Sequence, residues 1–166
     1  MTPGEPSGSG AERHRILRQL RRQLEQHPAV DHARGQPEGA YAEVTARLDP
    51  DHFGRTADSA TLRLVWHPNP DVPDDDRRPD PTDPSVAGPR TTFDAMFKIH
   101  YSEDGGYDCG FHNEPNSHVD GWFHFQERAD SDAEYDYEPA TIDAGSPTAA
   151  LWELLDLLAD RLRSGE

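Results

Sequence analysis

The apolar positions form two helical stripes with a series of alternating runs between them. In AERHRILRQLRRQLEQH, Ile16, Leu17, Leu20 and Leu24 recur at helical spacing while Arg15, Arg18, Arg21 and Arg22 fill the other positions. This predicts an amphipathic helix over residues 11–28. At the far end Leu151, Leu154, Leu155, Leu158 and Leu162 make a stronger stripe. Ser146 suits its N-cap and Pro147 its first turn. Arg161 and Arg163 complement the C-terminal dipole, and Gly165 can end the helix.

Between the stripes the period changes to two. AYAEVTARL puts Ala42, Val44, Ala46 and Leu48 on one face, and ATLRLVWH does the same with Leu62, Leu64 and Trp66. TTFDAMFKIHY and YDCGFHNE flank SEDGG, a hairpin signal that sets Phe97, Ile99 and Tyr101 beside Tyr107, Cys109 and Phe111. WFHFQER points Phe123 and Phe125 inward, and AEYDYE adds an edge strand through Tyr135 and Tyr137. PAVDHARGQPEG reads as a loop. The expected fold is α+β, an antiparallel sheet of about five strands with an N-terminal and a C-terminal helix packed on it.

The same pattern divides the chain. Residues 1–10, MTPGEPSGSG, read as a disordered tail, 11–28 as the basic helix, and 40–163 as a single domain. Residues 69–90 are rich in proline and aspartate and read as a solvated insertion.

Charge changes the picture next. The 166 residues hold 32 carboxylates against 16 basic side chains, a net charge of −16, and Lys98 is the sole lysine. An acidic surface that uses arginine in place of lysine suits a salt-rich cell interior, where a Debye length of about 3 Å at molar salt screens self-repulsion. In such a medium net negative charge does not exclude an RNA partner. Residues 1–28 carry five arginines and three glutamates, net +2, leaving −18 on the rest. The basic helix therefore either docks on the acidic body or serves as a contact arm for a partner or for phosphate. One cysteine excludes an internal disulfide. No apolar leader region and no run approaching the ~18 apolar residues of a membrane span are visible, so a cytoplasmic protein with no membrane partner is expected.

The candidate chemistry lies in CGFHNEPNSHVDGWFHFQER, residues 109–128. Successive side chains of a strand point to opposite faces. With the aromatic residues inward, Lys98, His100, His112, His124, Gln126 and Arg128 share the other face. Three histidines from consecutive strands could meet there. They could act as general acid and base, with Lys98 or Arg128 binding phosphate. They could instead hold zinc with His118 or Glu114, although the spacing matches no metal motif. The third reading is a solvated polar face. Trp122 shares the face and could stack a base or cover a sheet edge. Cys109 falls on the apolar side.

Strands, an Asn-x-Pro-x-x-His loop formed by Asn113, Pro115 and His118, an aromatic-histidine strand beginning near His124, and a leucine-rich terminal helix together resemble the TumE-type toxins of prokaryotic toxin–antitoxin modules. His112 stands where that family's motif has an aspartate, and Asn116 and Ser117 where it has paired histidines. The resemblance implies a toxin-like protein with a small cognate antitoxin-like partner and an action on RNA. Taken with the parity of the strands, the expected catalytic residues are His100, His112 and His124, with Lys98, Asn113, His118, Trp122, Gln126 and Arg128 in binding and no cofactor. A non-catalytic interaction domain, contacting its partner through the basic helix, is the competing expectation.

Overall fold

A computed structural model describes residues 8–68, 95–119 and 121–165. The elements run α1 (Gly8–Leu24), β1 (Val30–Gln36), β2 (Glu43–Leu48), a 3-10 turn (Pro50–Phe53), β3 (Ala60–His67), β4 (Met96–Glu103), β5 (Asp108–Asn113), β6 (Phe123–Arg128), β7 (Asp136–Pro139) and α2 (Pro147–Ser164). The α+β class and the antiparallel sheet stand as expected. Among the described residues the sheet has seven strands rather than about five, in the simple order β1-β2-β3-β4-β5-β6-β7.

Part of the difference is β1, read from sequence as a loop. Only Ala33 of VDHARGQ is buried, so an edge strand with one inward apolar residue shows no alternation. It is held by its register with β2, from Val30 opposite Leu48 to Gln36 opposite Glu43, with a bulge between Val30 and His32. Helix α1 also begins earlier than expected: residues 8–10, assigned to the tail, are helical. The expected insertion at 69–90 lies outside the described residues.

One face of the sheet carries the core. Val44, Leu64, Ile99, Phe111 and Phe125 follow one another across neighbouring strands, and all are buried. Both helices cover this face. Leu151, Leu154, Leu155, Leu158 and Leu162 of α2 are buried, and Ser146 caps the helix by accepting from the Ala149 amide. The α1 stripe joins the same core: Ile16 is 7 % exposed and Leu17, Leu20 and Leu24 are 0 % exposed. Of the two expectations for this helix, docking on the body is the one observed, because a stripe this apolar gains more from the sheet than from water. Arg15, Arg18 and Arg22 remain exposed on its outer side. Trp152 donates its indole N–H to Gln23 Oε1 at 2.9 Å, tying the helices together. No helix among the described residues is long and apolar enough to cross a membrane.

Candidate functional site: a histidine array on the uncovered sheet face

The sheet face away from the helices is ordered by register. One row runs Arg34, Thr45, Arg63, His100, Gly110, Gln126, Tyr137, and the next runs Gln36, Glu43, Val65, Lys98, His112, His124, Pro139. The parity expected for Lys98, His100, His112, His124 and Gln126 is therefore present, and Arg128 lies on the same side opposite Asp108.

Two histidines touch. His100 Nδ1 lies 3.1 Å from His112 Nε2. At one end of the pair His100 Nε2 lies 2.9 Å from Asp108 Oδ1, and at the other His112 Nδ1 lies 3.2 Å from Glu114 Oε1. Each carboxylate has its own cation: Arg128 Nε donates to Asp108 Oδ2 at 2.6 Å, and Lys98 Nζ sits 3.0 Å from Glu114 Oε2. The result is a line of carboxylate, imidazole, imidazole, carboxylate, closed at each end by a positive side chain.

Gly110 makes the line possible. It stands directly opposite His100, and a Cβ there would meet His100 Nδ1 at 2.7 Å and the Ile99 carbonyl oxygen closer still. With no side chain in the way, the His100 ring lies across β5 between Asp108 and His112.

Proton counting constrains the chemistry. Ionised carboxylates only accept, so three contacts in the line need three protons on four ring nitrogens, and two neutral imidazoles bring two. All three hydrogen bonds form together when the pair carries one additional proton. The ends of the line are held ionised. Burial opposes the charge on Asp108, but hydrogen bonds from Tyr135, Arg128 and His100 outweigh it and keep its carboxyl below the ordinary range. Burial likewise opposes Glu114, while His112 and Lys98 outweigh it and bring its pKa down to about 2. Burial, helped by the nearby His112, pushes His100 below the ordinary histidine value.

His124 stands behind these two. Its ring centre is 5.5 Å from that of His112, but the residue is 0 % exposed. Its Nδ1 faces the Trp122 carbonyl oxygen at 2.9 Å, so Nδ1 carries the proton and Nε2 accepts from the Asn116 amide at 3.3 Å. Gln126 Oε1 lies 3.3 Å from the same Nε2. Burial is the main reason that His124 also sits below the ordinary histidine value. His112 and His124 are thus buried and hydrogen-bonded, and the solvated-face reading fails for both.

A cavity of about 190 Å³ opens beside the pair, with Arg63, Lys98, His100, His112, Gln126 and Tyr135 on its walls. Of the remaining candidates, His118 stacks on Tyr137 with ring centres 4.6 Å apart, and Arg128 lies over the Tyr135 ring at 4.8 Å. Asn113 goes elsewhere. Its parity places it with Phe97 and Phe123, and its amide donates to the Ala95 carbonyl at 2.6 Å. Trp122 is 8 % exposed and offers the face its carbonyl rather than an open ring. Cys109 is buried on the core side, where burial pushes its thiol up to about 12. Among the described residues no group of three or more metal-ligating side chains gathers.

Sequence reasoning missed Asp108, Gly110 and Tyr135. Asp108 and Gly110 are at even positions of YDCGFHN, in parity with His112, which is a readable signal once the strand's inward face is fixed. Comparison of the chain with family models, with curated proteins and with solved structures returns no match.

Proposed function

We propose that His100 and His112 are the acid–base pair of a toxin-like protein that cleaves RNA phosphodiesters. The observation that carries this reading is the 3.1 Å contact between the two rings at the wall of a cavity shared with Lys98 and Arg63. The substrate opens the contact between the rings: His100 Nδ1, released from His112, takes the proton of a ribose 2′-hydroxyl as that oxygen attacks phosphorus, and the proton on His112 Nε2 goes to the 5′-oxygen as the P–O5′ bond breaks. The products are a 2′,3′-cyclic phosphate and a 5′-hydroxyl, and proton transfer across the ring contact restores the starting state. Lys98 and Arg63 counter the charge that grows on the phosphoryl oxygens. Asp108, Glu114 and His124 orient the pair and do not touch the substrate. The TumE-type resemblance adds a small cognate antitoxin-like partner, and the acidic, lysine-poor composition a salt-rich cell.

The test is cleavage of a fluorescent RNA dinucleotide in EDTA-containing buffer, with the cyclic phosphate identified by mass. His100→Ala and His112→Ala should each lose about 10²–10⁴-fold in rate. Lack of cleavage by the parent, or full activity of either variant, refutes the reading. Zinc binding is followed on the same samples by elemental analysis, and stoichiometric metal lost in both variants would favour a metal-binding face instead.

A further inference from the structure

The uncovered face continues past the histidine cavity. Across β1, β2 and β3 it forms a second cavity of about 240 Å³, lined by His32, Arg34, Thr45, Arg47 and Thr61 among others. We infer that this end of the face is a subsite for the backbone phosphates of single-stranded RNA whose neighbouring linkage lies at His100 and His112. The identity of the ligand rests on the RNA reading above; the place of the subsite rests on the following geometry.

Among the described residues no carboxylate lines this cavity, although the chain as a whole carries −16. Its walls bring guanidinium forks, an imidazole and hydroxyls, the side chains that suit phosphate oxygens. Arg34 and Arg63 flank Thr45 in one register row, and His100 follows Arg63 in that row. At roughly 4.8 Å per strand, the arginines on β1 and β3 are about 10 Å apart and Arg63 is one strand from the histidine pair. Arg63 lines the histidine cavity and stands opposite Thr45, which lines the second, so a backbone crossing the strands would pass from one cavity to the other. The carboxylates near this row leave the guanidiniums reachable. Asp31 is 4.0 Å from Arg47, with both side chains about 60 % exposed, and Glu43 holds Arg63 Nε at 2.6 Å while the Arg63 side chain stays 58 % exposed. Tyr135 and Tyr137 at the opposite end supply aromatic surface of the kind on which bases stack.

The probe is a fluorescein-labelled 2′-O-methyl RNA decamer, which cannot form the cyclic phosphate, titrated by anisotropy at several KCl concentrations. Each phosphate contact contributes about 0.7 to the slope of log affinity against log salt for a single strand. The double variant Arg34→Gln/Arg47→Gln should bind more weakly at every salt concentration and lose about 1.4 from that slope. The control Arg15→Gln/Arg18→Gln, on the exposed side of α1, should bind as the parent does. In parent protein the Thr45 and Thr61 amide resonances should shift on titration, a readout independent of how the variants fold. An unchanged slope in the face variant, weaker binding in the α1 variant alone, or no binding by the parent overturns the subsite. The two proposals fail separately. Dinucleotide cleavage by the parent reports on the histidine pair without the subsite, and decamer binding reports on the subsite without the chemistry.

Discussion

Gly110→Ala adds one methyl group where the fold has no room for it. The new Cβ would sit 2.7 Å from His100 Nδ1, 3.0 Å from His100 Cα and closer to the Ile99 carbonyl oxygen, so β4 and β5 must part and the ring must move as well. Overpacking of this kind costs about 1–3 kcal/mol. The displaced ring also gives up its contacts to Asp108 and His112, each worth about 1 kcal/mol. The expected loss is therefore about 3–5 kcal/mol. With a urea m-value of about 1–3 kcal/mol/M, a 3 kcal/mol loss lowers the unfolding midpoint by about 1–3 M. Gly145→Ala is the control. Its Cβ meets nothing within 4 Å, so the change should leave stability equal or raise it by about 0.4–1 kcal/mol. The decisive measurement repeats Gly110→Ala in a His100→Ala background. If the glycine exists to seat the His100 ring, the loss shrinks there, because the two sites couple. A parent-like midpoint for Gly110→Ala, or an equal loss in both backgrounds, refutes the argument that this glycine serves the histidine array.

Three further outcomes are expected. Deleting residues 8–24 should abolish cooperative unfolding followed by circular dichroism, because Ile16, Leu17, Leu20 and Leu24 are core residues; a folded remainder would return α1 to the role of a contact arm. Acidification should destabilise the fold. His27, His67, His100 and His124 sit below the ordinary value of 6.5, so they bind fewer protons folded than unfolded, and their contribution is complete above 6.5 and falls as pH drops below it. Glu114, lowered from 4.5 to about 2, adds a contribution present above 4.5 and lost toward 2, so urea midpoints that rise on acidification would contradict both assignments. Thermal midpoints should climb from low to molar KCl as the −16 charge is screened, and a midpoint indifferent to salt would remove the salt-rich-cell reading.

Periodicity alone decided the inner face of the sheet and the stripes of both helices. The Leu151 to Leu162 stripe with its Ser146 cap, and the alternation through Phe97, Phe111 and Phe125, are local patterns that any packed solution must bury. The same parity placed His100, His112 and His124 on one face, because a strand can show a residue to only two sides. Tertiary structure decided what parity cannot. A slip of two residues keeps every face and changes every partner, so only the register of β4 with β5 sets Gly110 opposite His100 and lets that ring reach both Asp108 and His112. His124 is enclosed by Asn116 and by the His112 and Tyr137 rings, which the loop and the neighbouring strands bring to it. Strand β1 escaped the sequence because an edge strand with one inward side chain draws its stability from pairing with β2, and pairing leaves no mark on a single run of residues.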